Sequence, residues 1–326
     1  MELLRDRDID LALIRGKRIA VIGYGNQGRA QALNLKDSGI DVVVGLREGS
    51  ISTGRAQEAG LTVAVVEDAA ASADIVMFLA PDEAIPDIYK ELETRIRTGA
   101  AIGFSHGLAI HFGLIKPRAD LDVFLVAPKG PGTALRSLFE QGKGMVALWA
   151  VAQDSSGSAR QLALAYGKAI GCARAGLIAS SFAEECEADL FNEGAVVWGA
   201  VPEILIAGFE TLTEAGISPE VAFLECVGEL KLIAELIEQR GIAGMRKAIS
   251  NTAELGAVLG GPRVVDSHAR EKMKAVLAEV RSGRFAEALR REAESGYPEL
   301  AKARASARRH PIERAFEEIR RLNEGD

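Results

Sequence analysis

Cysteine is scarce in this sequence: three residues, Cys172, Cys186 and Cys226, in a chain of 326. The number is odd, the spacing is wide and no CxxC pair occurs. That pattern argues against a disulfide framework and a thiolate zinc site, and it suits a reducing compartment. Basic charge is in deficit. With 39 Lys and Arg against 46 Asp and Glu, the formal net charge is −7. The cationic face that a phosphate backbone requires is therefore not expected, and nucleic acid is not an expected partner. Long apolar runs are missing too. Stretches such as 73–80 and 194–208 are interrupted by charge, Pro or Gly, well short of the ~20 apolar residues of a membrane span. The amino terminus, MELLRDRDID, is charged from its second residue and lacks the apolar core of a signal peptide. A cytoplasmic protein without membrane association is expected. Neither a short-period repeat nor a low-complexity tract is visible.

What is present falls into two halves. A hydrophobic content of 48% over 326 residues supports about two domains with substantial cores. From Lys17 to about Ala152, short Val- and Ile-rich runs alternate with amphipathic stretches. The runs 18–23, 42–46, 75–79, 100–104, 123–127 and 145–151, bounded by Gly, Pro or Asp, read as buried parallel strands. Segments 27–38, 52–58 and 159–170 fit helices, and 171–178 a last strand or connection. This is a doubly wound α/β domain. After Ser180 the strand signals stop, and 182–213, 219–240 and 269–281 are long helical patterns rich in Ala, Leu and Glu. Ser218-Pro219 supplies an N-cap and a Pro at the first helical position. The boundary is placed between residues 1–181 and 182–326, with a charged, partly loose tail from Ser295.

Ile19-Ala-Val-Ile-Gly-Tyr-Gly-Asn-Gln-Gly28 is a strand running into Gly23-x-Gly25-x-x-Gly28 and then a helix. The first Gly permits the tight turn, the second lets backbone approach a pyrophosphate, and the third lets helix and strand pack closely. The helix N-terminus adds N–H groups and a positive dipole end. At the end of the next strand, where NAD-binding domains usually carry an Asp or Glu for the ribose 2′-OH, Arg47 stands with Ser50 and Ser52. That cationic, donor-rich cup suits the 2′-phosphate of NADPH, whereas Glu48 could serve a 2′-OH instead.

In the helical half, Asp189 and Glu193 stand four apart, as do Glu225 and Glu229. Each pair shares a helix face, and two such faces opposed could hold hard divalent cations such as magnesium. Acidic pairs at this spacing are common by chance and mostly solvated. These sit among Leu190, Phe191, Leu224 and Leu230, where a carboxylate is costly unless paired or metal-bound. His106 follows the run 100–104 at the carboxyl end of a strand, where doubly wound folds place their sites; a lone loop histidine is more often structural than catalytic. Lys129, in Ala127-Pro-Lys-Gly-Pro-Gly132, closes another strand and reads either as a cation beside the cofactor or as a surface lysine.

Together these segments resemble the short-form (class I) ketol-acid reductoisomerases of branched-chain amino-acid biosynthesis over nearly the whole chain. The matching blocks include Gly23-Tyr-Gly-Asn-Gln-Gly28, Val42–Ser52, Pro81-Asp-Glu83, His106-Gly107, Ala127–Gly132, Asp189-Leu-Phe191, Glu225 to Leu232 and Ser250-Asn-Thr-Ala-Glu254. The resemblance implies a Rossmann domain followed by an all-α domain with a knotted path. It implies NADPH contacts from Gly23, Tyr24, Gly25, Asn26, Gln27, Gly28, Arg47, Ser50, Ser52, Asp82 and Glu83, with Gly132 close by. It further implies a catalytic His106, with Lys129 and the proton-shuttling Glu229, and a substrate-binding Ser250. Asp189, Glu193, Glu225 and Glu229 match the ligands of two magnesium ions. The implied substrate is a small 2-hydroxy-3-keto acid, rearranged by alkyl migration and reduced to a 2,3-dihydroxy acid. A homo-oligomer, dimer or dodecamer, is the implied assembly.

The sequence also departs from the family pattern. Leu108-Ala109 stands where Phe-Asn is usual and Ile85 where a glutamine is usual. Cys186-Glu-Ala-Asp-Leu-Phe-Asn-Glu-Gly194 replaces Thr-Glu-Thr-Asp-Leu-Phe-Gly-Glu-Gln, and Trp198-Gly-Ala-Val-Pro202 replaces Cys-Gly-Gly-Val-Thr. The charged positions survive while their neighbours change. That leaves open a paralogue with the same metal and cofactor but a different substrate. Two other classes are distinguishable. A non-catalytic NADP-binding protein would have lost these charged positions, and a 3-hydroxy acid dehydrogenase would work without metal.

Overall fold

The computed structural model describes residues 2–324, and two compact units divide it between Ala188 and Asp189. The first is built on a nine-stranded sheet: β1 Leu3–Leu4, β2 Arg18–Ile22, β3 Asp41–Leu46, β4 Thr62–Val65, β5 Ile75–Phe78, β6 Ala101–Phe104, β7 Asp122–Pro128, β8 Ala147–Gln153 and β9 Leu177–Ala179. Their order across the sheet is β1-β9-β8-β7-β6-β5-β2-β3-β4. Chain order reverses at β2, which pairs in parallel with β3 on one side and β5 on the other. In a doubly wound sheet that reversal opens the crevice where ligands bind. The helices of this unit are α1 Asn26–Asp37, α2 Ser52–Glu58, α3 Val66–Ser72, α4 Ile85–Leu92, α5 Leu108–His111, α6 Gly132–Glu140 and α7 Ala159–Ala169. Two apolar layers cover the sheet. One joins Ile19, Val21, Val44, Phe124 and Tyr166, and the other joins Ala20, Ile22, Phe78, Phe104 and Leu125. Alternate residues of β2 thus enter opposite layers, as the two-residue period of a strand requires.

One strand runs against expectation. The run 145–151 reads as a parallel strand, yet β8 is antiparallel to β7, with Pro128 opposite Ala147. The chain re-enters the sheet at the end it left, because the connection through α6 returns there. Parallel and antiparallel strands buried on both faces carry the same apolar signature, so sequence does not separate them. Edge strands β1 and β4 fall outside the runs read from sequence. β4 is half-exposed, and β1 has two residues.

The second unit is helical. Helix α8 (Phe182–Ala195) begins in the first unit, so the compact units divide inside it. It is followed by α9 Ala200–Glu214, α10 Pro219–Phe223, a wide π-helical turn at Leu224–Gly228, α11 Leu230–Ala248, α12 Asn251–Val264, α13 Ser267–Arg281, α14 Arg284–Glu294, α15 Pro298–Ala307 and α16 Pro311–Glu324. The patterns at 182–213 and 219–240 are therefore not continuous helices. The first breaks at 196–199 and the second at the π turn. The region Phe182–Glu214 has the apolar composition of a membrane span, but the break leaves two helices of 14 and 15 residues, shorter than the ~20 a span needs. Nor are residues 298–324 of the tail loose, since most of them form α15 and α16. Ile312 and Ala315 of α16 pack with Phe209 and Ala222, and Phe316 lies 6.1 Å from Phe223, ring to ring.

Arg118 and Asp120 lock the loop before β7. The Arg118 guanidinium donates to Asp120 at 3.0 and 2.8 Å and to the Ile96 carbonyl at 2.9 Å, and also to Glu93. The bonds from Arg118 hold the Asp120 carboxyl well below the usual carboxylate range. A group whose folded pKa is depressed contributes stability that is present above its unfolded pKa and lost as pH falls through the folded one. Asp120→Asn is expected to lower the thermal midpoint at neutral pH, and the gap to the unaltered protein is expected to narrow progressively as pH falls below about 4 toward the depressed folded pKa. Thermal unfolding across that range checks both statements.

Candidate active site

The glycine turn after β2 sits at the sheet's reversal point. Gly23 has φ of +101°, and a Cβ on Gly28 would collide with the carbonyl of Gly23, while around Gly25 the space is open. The turn is thus closed against itself on one side and accessible on the other, as a phosphate-binding loop must be. Asn26 and Gln27 do not leave their side chains free. The Asn26 Oδ1 accepts from Thr133 N–H at 3.0 Å, and Gln27 Nε2 donates to the Gly130 carbonyl at 2.9 Å. Gly132 lies against Asn26, where a Cβ would meet the Asn26 carbonyl. The cofactor loop and the β7–α6 loop are pinned together. Tyr24 is buried, and burial pushes its phenol up despite the cations Arg29 and Arg55.

At the end of β3, Arg47 and Glu48 are exposed and line a shallow pocket with Gly49, Thr53, Gln57 and Val63–Val65. Ser50 Oγ accepts from Ser52 N–H at 3.3 Å, and Ser52 Oγ accepts from Arg55 at 2.8 Å. Arg55 is a second cation at this loop that sequence reading did not single out.

Behind the glycine loop runs a network also unmarked in the sequence. Tyr166 OH donates to Gln31 Oε1 at 2.6 Å. Gln31 Nε2 donates to Gln27 Oε1 at 3.1 Å and to Ser105 Oγ at 2.9 Å, and Ser105 donates to the Val126 carbonyl at 2.9 Å. It ends one residue before His106. The Nδ1 of His106 lies 3.3 Å from Asp82, so Asp82, expected at the cofactor, stands beside the histidine. Glu83, its neighbour, is half-buried. His111 instead faces Glu187 at 3.4 Å.

The residue that organises these loops is Glu185, which sequence reading missed. Its side chain is 1% exposed, Lys129 Nζ lies 2.7 Å from Oε1, and Gly107 N–H donates to Oε2 at 2.8 Å. A donor atom of His106 and one of Glu185 lie within 4.8 Å. Lys129 is thus an ion-paired residue rather than a free surface lysine. The signal for Glu185 was its position four residues before Asp189, hidden in the acidic run Glu184-Glu-Cys-Glu187.

In the helical unit, Asp189 and Glu193 are one turn apart on α8, Asp189 half-buried and Glu193 exposed. Glu225 lies in the π turn and Glu229 just after it, both exposed. Among the described residues, these four carboxylates do not gather at ligand spacing within one chain. Ser250 is the N-cap of α12, its Oγ accepting from Ala253 N–H at 3.2 Å.

A family model described as "Acetohydroxy acid isomeroreductase, NADPH-binding domain" matches residues 13–176, and "Ketol-acid reductoisomerase, C-terminal domain" matches residues 182–324. The chain belongs to the ketol-acid reductoisomerase family. A solved NADH-preferring ketol-acid reductoisomerase from an uncultured archean is 43% identical, with 99% of each chain covered and a TM-score of 0.95. A semialdehyde dehydrogenase NAD-binding protein from Cupriavidus necator is 19% identical over 82% of this chain and 99% of its own, TM-score 0.60. That second likeness concerns the fold alone. Ketol-acid reductoisomerases are NAD(P)-dependent oxidoreductases and isomerases, and this chain is one of them. Neither the paralogue with a different substrate nor the metal-independent dehydrogenase is favoured, and the non-catalytic reading falls with them.

Lys129→Met would leave Glu185 buried without its cation. We expect a loss of about 2–3 kcal/mol in urea unfolding, below the full cost for a fully buried pair because Lys129 is partly exposed. Adding Glu185→Gln to that variant should recover part of it.

Proposed function

We propose that the chain converts 2-acetolactate and 2-aceto-2-hydroxybutyrate into 2,3-dihydroxy acids by alkyl migration and reduction, with NADPH and two magnesium ions. The observation that supports this most directly is the cluster of His106, Lys129 and buried Glu185, with Asp189 one turn further along α8. The donor set suits a hard cation. Asp189 and Glu193 offer carboxylate oxygens on adjacent turns, and the nearby Cys186 is buried. Bound there, magnesium supplies Lewis-acid polarisation of the substrate's hydroxyl and carbonyl oxygens. The dinucleotide supplies the hydride.

The protein's own residues bind, orient and move protons. Asp82 lies 3.3 Å from Nδ1 of His106, and a carboxylate at that position favours a proton on the ring nitrogen that faces it. Glu185 keeps Lys129 in place as a cation beside the negatively charged substrate. Glu229 takes the proton from the substrate hydroxyl and returns one after migration. Arg47, with Ser50 and Ser52, receives the 2′-phosphate of NADPH, and Arg55 adds a second positive charge.

Glu225, Glu229 and Ser250 act in the site of a second copy. They are exposed here, and the helical unit also exposes Leu232 (59%), Leu255 (60%), Leu259 (63%) and Val264 (66%). Surface of that kind marks an interface, and a two-fold pair would complete each site reciprocally.

Turnover of 2-acetolactate is expected with NADPH and magnesium and is expected to stop on chelation; a folded protein without turnover would overturn the reading. NADPH is expected to give the higher kcat/KM, with Arg47→Ala narrowing the gap to NADH. Inactive Asp189→Ala and Glu229→Gln chains, unfolded and refolded together, are expected to regain about one quarter of the unaltered rate, since half the dimers would be mixed with one intact site each. No recovery would place all four carboxylates in one chain.

A further inference from the structure

Helix α1 buries two amide side chains completely, Gln31 and Asn34. They bond to different parts of the first unit. Asn34 donates to the Ile170 carbonyl at 2.9 Å and accepts from Arg136 at 3.0 Å, and neither partner belongs to the candidate site. Gln31 reaches that site in two directions. One amide hydrogen goes to Gln27 Oε1, and Gln27 in turn donates to the Gly130 carbonyl. The other goes to Ser105 Oγ, on the residue before His106. Ser105 donates to Val126 on β7, the strand that runs into Lys129.

Tyr166 closes the third side. Its hydroxyl lies 2.6 Å from Gln31 Oε1, and burial pushes the phenol well above its usual range, so it stays protonated and donates. Its ring lies 5.9 Å from that of Phe124, which seats it against the sheet. The Gln31 oxygen and both of its amide hydrogens are therefore engaged. Hydrogen bonds weaken steeply once their geometry is disturbed, so the two ends of this side chain cannot drift apart freely. A displacement of the glycine loop at Gln27 is felt at Ser105, and the reverse.

We propose that Gln31 is a positioning residue: it ties the dinucleotide loop at Gln27 to the strand end that carries His106, so that dinucleotide affinity and the placing of the histidine depend on one another. Gln31 is fully buried and acts through Gln27 and Ser105. The catalytic half of the inference rests on the reaction assigned above; the dinucleotide half does not. A reacting group misplaced by about 1 Å can cost ~100-fold in rate, and a smaller drift costs correspondingly less.

Titration of the metal-free protein with NADPH reads the dinucleotide half, and kcat on 2-acetolactate with NADPH and magnesium reads the catalytic half. The variants are Gln31→Met, Ser105→Ala, the two combined, and Asn34→Leu, a buried amide of the same helix outside the network. All are assayed below the thermal midpoint of the least stable. Gln31→Met is expected to weaken NADPH binding ~5-fold and to lower kcat ~10-fold. Ser105→Ala is expected to weaken binding in the unaltered chain but hardly at all in the Gln31→Met background, a non-additivity that a general loss of packing does not produce. Asn34→Leu is expected to lower the thermal midpoint and to leave both readouts unchanged. Additive effects of the Gln31 and Ser105 changes overturn the proposal, as does an unchanged Kd or kcat in Gln31→Met. Equal losses in Asn34→Leu overturn it too and assign the effect to stability. If the unaltered chain turns over no substrate, the reaction assigned above fails, and the titrations alone decide the role of Gln31.

Discussion

A single buried carboxylate, Glu185, sets the arrangement of the loops at the candidate site. Out of water, an ionised carboxylate is tolerated only where cations and donors replace its hydration. Glu185 finds them in Lys129, at the end of β7, and in the backbone N–H of Gly107, at the start of α5. Two loops from different strands and the first turn of α8 are thereby joined at one point. His106 is placed by the Gly107 contact and Asp189 by the helix that carries Glu185. The geometry of the candidate site is a consequence of satisfying one charge.

The helical half works by a different device. Its carboxylates lie on or next to turns that depart from the α-helical repeat, at 196–201 and at 224–228. Each such turn costs regular hydrogen bonding, and each alters which side chains share a face. The first is the break at 196–199, where α8 ends and α9 begins. In the second, a glutamate is displayed on the surface near apolar residues with no cover in their own chain.

Much of this was legible in the sequence. The Val- and Ile-rich runs located six strands within a few residues, and Gly23, Gly25 and Gly28 marked the cofactor turn, because local sterics decide both. The charged positions His106, Lys129, Asp189, Glu193, Glu225 and Glu229 were read from position and resemblance. What was not legible depends on distant partners. The direction of β8 follows from the return path through α6 and leaves no trace in the strand's own composition. Glu185 was indistinguishable from Glu184 and Glu187, since its burial comes from Phe182 and the Gly107 turn packing around it. The breaks at 196–199 and 224–228 lie in sequence with ordinary helical periodicity, and tertiary packing overrides that preference.

The hydrogen bonds running from Tyr166 through Gln31 to Ser105 have one further consequence. Gln31 is an amide, so its nitrogen can only give and its oxygen can only receive, and every bond in the chain has a fixed polarity. A carboxylate or an imidazole in that place would exchange a proton for another at its far side; an amide does not. The interior behind the cofactor loop is therefore electrically silent. It holds the loop and the residue before His106 in position, yet gives a proton arriving at the histidine no route into the core.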